Sequence, residues 1–128
     1  MIIRPEQMKA LNEAAGRRFE NEMTGHLFRL FPSLSGRIGE TGLRAVIRHG
    51  TRRARDYGIL RERDVGRYIA VMMMFGIDFD KRKNLGPMYS VLRDSRLRNS
   101  HTKAEALSRC AVEALKERTL RAGRKPSW

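Results

Sequence analysis

The sequence predicts an all-α fold, a single compact bundle of about five helices with no sheet. Three observations carry this expectation. Apolar residues recur at three- and four-residue steps through most of the 128 residues. No stretch alternates apolar and polar residues as a half-buried strand does. The breaks between periodic stretches fall at proline and glycine. A chain of this length supports one modest core, so residues 1–122 read as one helical domain and 123–128 as a frayed basic tail.

Pro5 sits where a first helical turn tolerates proline, and Met8, Leu11, Ala15, Phe19, Met23, Leu27 and Leu30 follow at helical steps. That helix is expected to end near Phe31-Pro32. Ser33 to Glu40 reads as a turn or one short helical turn, because Gly36 and Gly39 weaken anything longer. From Thr41 the pattern resumes with Leu43, Val46, Ile47, Ala54 and Tyr57, and Gly58 supplies a left-handed cap. Gly50 lies inside this second helix at a cost of about 1 kcal/mol relative to alanine, which a close approach by another helix explains.

Asp64, Val65, Tyr68, Ile69, Met72 and Met73 mark a third helix that stops near Gly76. Its end, Ala70 to Phe75, is apolar on every side, as in a central helix or an interface. Gly86-Pro87 signals a short fourth helix carrying Met88, Tyr89 and Leu92. The last helix is expected to begin at Thr102, where Thr102-Lys103-Ala104-Glu105 fits a capping box. Leu107, Cys110, Ala111, Ala114 and Leu115 form its apolar side, and Arg118, Arg121, Arg124 and Lys125 lead into the basic tail.

The chain carries 27 Lys and Arg against 14 Asp and Glu, a formal net charge of +13. A potential of that sign favours anionic partners: nucleic acid, an anionic membrane or an acidic protein. The one cysteine, Cys110, forms no internal disulfide, and a reducing compartment is the simpler inference. No signal-peptide pattern opens the sequence, and the longest apolar run, Ile69 to Ile77, is far shorter than the roughly 18 residues of a membrane span. A cytoplasmic protein is expected.

Asp78 and Asp80 flank Phe79, and two carboxylates at i and i+2 can share a divalent cation in a loop. Here Lys81, Arg82 and Lys83 follow at once and would compete with a metal. Asp78, Phe79 and Asp80 are therefore read as loop architecture, with Phe79 and Ile77 turned inward and the aspartates paired with nearby arginines or backbone amides. His26, His49 and His101 lie in separate elements, with no acid at metal-helix spacing and no HExxH motif. No serine sits in a nucleophile elbow, Cys110 falls on an apolar helix face, and no glycine cluster is ordered as a phosphate loop. The residues suggest no catalytic site, no metal, no cofactor and no small-molecule substrate.

The basic residues are more informative. Arg44, Arg48, Arg52 and Arg55 fall at steps of four, four and three, a stripe opposite Leu43, Val46, Ile47 and Ala54. Arg53, Arg61, Arg63 and Arg67 enlarge it. An acidic protein surface is the favoured partner; nucleic acid, against which the few aromatics count, and a merely solvated face are the alternatives. Met72 and Met73 continue the face of Val65 and Ile69, which leaves Met74 on another side, in the core or in a partner groove. Arg44, Arg48, Arg52, Arg55, Arg63 and Met74 are the candidate partner-binding residues.

Residues 43–80, LRAVIRHGTRRARDYGILRERDVGRYIAVMMMFGIDFD, resemble a segment of small helical proteins encoded beside effector genes of bacterial type VI secretion systems. The likeness rests on a basic helix ending in Ala54, Tyr57 and Gly58, then Asp64-Val65 and Tyr68, then the Met-x-x-x-Gly-x-Asp-Phe-Asp run that closes at Asp80. Here Gly58-Ile59-Leu60-Arg61 lacks a Ser or Thr to cap the third helix. The resemblance implies a non-enzymatic accessory protein, an adaptor or co-chaperone for an effector or its loading chaperone. An immunity protein occluding a toxin would use the same basic face.

Overall fold

The computed structural model describes residues 5–124, with side chains except at positions 5, 8, 11, 12 and 119–124. Five α-helices and no strand occur among the described residues, so the all-α expectation holds. None of these helices is long and apolar enough to cross a membrane. The chain divides into two compact units, residues 1–49 and 50–128.

The first unit holds α1 (Pro5–Leu30) and the first part of α2 (Pro32–Asp56). Met23, Leu27, Leu43 and Ile47 are buried, in keeping with the predicted periodicity, whereas Leu30 is exposed. Ser33 to Glu40, expected as a turn or one short helical turn, is helical up to a break at Gly39. Helix runs from Pro32, where the missing N–H costs no hydrogen bond, and the backbone leaves helical geometry at Gly39 alone (φ 81°, ψ 161°). Ser35 braces the tight junction: its buried hydroxyl donates at 3.0 Å to the Leu27 carbonyl, which also accepts the Phe31 N–H at 2.8 Å.

The second unit holds the end of α2, α3 (Glu62–Phe75), two 3-10 turns (Phe79–Lys81 and Lys83–Leu85), α4 (Pro87–Arg93) and α5 (Ser100–Arg124). α2 closes in a Schellman motif. The Ile59 N–H donates to Ala54 O and the Gly58 N–H to Arg55 O, both at 2.9 Å, while Gly58 takes φ 81°, a conformation free of Cβ strain only for glycine. Ala54 and Ile59 are both fully buried, completing the motif's apolar contact. Lys103 on α5 donates its ammonium to the Tyr57 carbonyl of this turn at 2.8 Å.

α3 packs on α5 and buries Val65, Tyr68, Ile69, Val71, Met72, Met73 and Phe75. Met88 and Leu92 of α4 and Ala104, Leu107 and Ala111 of α5 are buried as well, and α4 also packs on α5. At Gly50 α2 comes close to α3: a Cβ there would lie 2.7 Å from both Ile69 Cγ1 and Met72 Sδ. The predicted close approach is therefore present.

Two expected boundaries shift. α5 begins at Ser100 rather than Thr102, because Asn99 is the cap: its Oδ1 accepts the His101 N–H at 2.8 Å and the Thr102 N–H at 3.3 Å. Thr102 is thus inside the first turn, and the capping box is not used. α5 then continues to Arg124; residues 125–128 of the expected tail lie outside the described residues.

Candidate functional site

The structure separates the two aspartates that the sequence pairs. Asp78 is exposed, and Asp80 is fully buried on the 3-10 turn after α3. Asp80 Oδ2 accepts from Arg53 Nε at 3.0 Å, from a terminal nitrogen of the same guanidinium, and from the Tyr57 hydroxyl at 2.8 Å. Burial pushes the Asp80 carboxyl upward, but the Arg53 and Tyr57 hydrogen bonds outweigh it and hold the group below its ordinary value. The same bond holds Arg53 firmly protonated. Burial, then the bond to Asp80, raises Tyr57.

Arg93 completes this node from α4. It donates to the Asp80 carbonyl at 2.8 Å and to the Tyr57 hydroxyl at 3.3 Å, and it stacks 3.7 Å over the Tyr89 ring. Phe79 is buried with its ring centroid 5.1 Å from that of Tyr68. Ile77, expected to point inward, is 44% exposed. The reason is Gly76, whose φ of 109° turns the chain out of α3 and brings Phe79, three residues on, back to the core.

Asp64 forms a second buried node. Ser100 Oγ donates to its Oδ2 at 3.0 Å and accepts the Leu60 N–H at 3.1 Å. His101 Nδ1 lies 3.4 Å from Asp64 Oδ1, and its Nε2 lies 3.4 Å from Glu105. One histidine therefore does have an acid one helical turn away, contrary to the sequence reading. Leu60, Asp64, Ser100 and His101 together fasten the start of α3 to the start of α5.

The arginine stripe is divided by what compensates it. In the first unit Arg48 grips Glu20 with two nitrogens at 2.9 and 3.2 Å. Arg44 bonds Asn21 Oδ1 at 2.7 Å and Glu40 at 3.1 Å, with Glu20 at 3.5 Å. The Arg48 hydrogen bond lowers the Glu20 carboxyl. In the second unit Arg53 faces inward to Asp80, and Arg67 lies 3.8 Å from Asp64, so neither enlarges a free patch as expected.

Arg52, Arg55, Arg61 and Arg63 are exposed, and none is in an ion pair among the described residues. They bracket the Schellman turn, with Leu60 between them 66% exposed. Arg55 suits the negative end of α2. Arg61, the residue before α3, and Arg63 in its first turn place positive charge at the end where a helix disfavours it. Helix stability therefore does not account for them. Met74 is half-buried on α3, as is Cys110 on α5, whose thiol burial pushes up.

No family model, no curated protein and no solved structure matches this chain.

Proposed function

We propose that the chain is a non-enzymatic adaptor that docks an acidic protein surface through the corner formed by Arg52, Arg55, Arg61 and Arg63. One observation carries the reading: four exposed, uncompensated guanidiniums gather within twelve residues around an exposed leucine, while the neighbouring arginines are consumed internally. Guanidiniums suit bidentate capture of carboxylates, and Leu60 supplies an apolar centre for a polar rim. The likeness of residues 43–80 to type VI secretion accessory proteins makes an effector, or the chaperone that loads it, the partner of choice. Arg44 and Arg48 act chiefly within the first unit, on Glu20.

The test is co-expression of the tagged chain with the product of each neighbouring gene, purification after nuclease treatment, and measurement of the stoichiometry. A one-to-one complex that survives nuclease, and that weakens at least tenfold when Arg52, Arg55, Arg61 and Arg63 are changed to glutamate, is expected. A complex indifferent to those four changes removes the corner as the interface. The net charge of +13 favours a second reading, a nucleic-acid-binding module, which requires duplex binding at about 50 mM salt that falls linearly with log salt.

A further inference from the structure

The second unit contains a half-open cavity of about 530 Å³ between the end of α3, the turn before α4 and the middle of α5. Neither the arginine corner nor the two buried carboxylate nodes use it. Its floor is apolar: Phe75, Leu85, Met88 and the small side chain of Ala114. Arg82, Arg109 and Arg118 stand around this floor. Arg82 donates to the Phe75 carbonyl at 2.9 Å, and the Arg118 guanidinium lies 4.7 Å over the Phe75 ring, so two cations converge on one residue.

None of these three arginines is in an ion pair among the described residues. Of the two acids in the lining, Glu113 lies 3.6 Å from Lys116. The cavity thus combines apolar side chains with three arginines that outnumber its two acids, Glu113 and Glu117, and its volume is that of a site which takes a few side chains or a small ligand. Charge complementarity asks for carboxylates on both sides of an apolar group. Arg109 and Arg118 are nine residues apart on α5, about 13 Å along the axis and half a turn around it, so they flank the cavity from opposite edges of the helix face that lines it. A small acid with a single carboxylate would leave one end of that span uncompensated.

We infer that this cavity is a docking site for a short acidic peptide segment, which seats an apolar side chain on Phe75, Leu85, Met88 and Ala114 and places flanking carboxylates on Arg82, Arg109 and Arg118. The inference rests on the proposal that the chain docks an acidic protein, and it names the part of that protein held here. It uses residues wholly separate from the Arg52 to Arg63 corner.

The experiment is fluorescence anisotropy on the full chain with labelled peptides Glu-Glu-X-X-Glu-Glu, where X is leucine, phenylalanine, methionine or tryptophan. All-glutamate and lysine-flanked peptides of equal length serve as controls. At least one acidic-flanked apolar peptide is expected to bind tenfold or more tightly than both controls and to slow alkylation of Cys110, the chain's one cysteine, which lines the cavity. Ala114→Trp, which fills the floor, and the surface pair Arg109→Glu and Arg118→Glu should each weaken binding at least tenfold. Arg17→Glu with Arg18→Glu, exposed on α1, should leave it unchanged.

Equal binding of the all-glutamate control, no binding by any peptide, or indifference to the Arg109 and Arg118 changes overturns the inference. So does self-association of the chain that Ala114→Trp abolishes and the peptides do not compete with, since a second copy would then be the occupant. The two proposals separate cleanly. Peptide binding at the cavity with a partner complex insensitive to the corner changes removes the corner alone; loss of the partner complex on corner reversal with no peptide binding removes the cavity alone.

Discussion

Arg53 and Asp80, 27 residues apart in sequence, meet in a double hydrogen bond in which Arg53 Nε lies 3.0 Å from a carboxylate oxygen of a fully buried aspartate. This bond ties the last turn of α2 to the 3-10 turn that follows α3. Asp64 is likewise a buried acid that accepts a hydrogen bond from another element, from the Ser100 hydroxyl.

Asp80→Asn is expected to lower stability by about 3 kcal/mol, because it removes the charge while leaving Arg53 in place beside it. Urea titration measures the loss. The folded carboxyl titrates below its ordinary value of 3.8, so its contribution is present in full above that value and disappears as pH falls through the lower folded one. The parent chain should therefore lose stability more steeply than Asp80→Asn as pH drops below about 4. Parallel slopes would show that Asp80 contributes nothing to acid sensitivity.

The two neighbouring tyrosines should differ. Tyr57 donates to Asp80, and Tyr57→Phe is expected to cost about 1–2 kcal/mol. The buried Tyr68 hydroxyl has no hydrogen-bond partner among the described residues, so Tyr68→Phe should fall within about 0.5 kcal/mol of the parent or stabilise it. Thermal melts of both variants decide, and equal losses would sink the distinction.

Gly50→Ala pits propensity against packing. Alanine gains about 1 kcal/mol of helix propensity, but its methyl would sit 2.7 Å from Ile69 Cγ1 and Met72 Sδ. Overpacking of this kind costs about 1–3 kcal/mol. Net destabilisation is expected, relieved by Met72→Ala in the same chain; a more stable Gly50→Ala would show that the helices separate without penalty.

The start of α5 offers a paired test of its cap. Asn99→Ala should cost about 1 kcal/mol and increase amide exchange at His101 and Thr102, whose N–H groups it caps. Thr102→Ala should be nearly neutral. The reverse order would restore Thr102 as the cap.

The peptide backbone made much of the fold legible in the sequence. Helical periodicity set the apolar faces of α1, α3 and α5. Gly58, Gly76 and Gly86-Pro87 ended or started helices because positive φ and a fixed proline ring are local properties. Local rules also misled where two answers competed: Gly36 and Gly39 suggested a turn, although only Gly39 leaves the helix, and Thr102 fitted a capping motif that Asn99 pre-empted from three residues earlier. What only the tertiary structure decided was the fate of the charges. Glu20 claims Arg48 across 28 residues, Asp80 claims Arg53 across 27, and Arg52, Arg55, Arg61 and Arg63 are left to solvent. A guanidinium reads identically at each of these positions in the sequence; burial of its carboxylate partner, which depends on how distant elements pack, separates the structural arginines from the available ones.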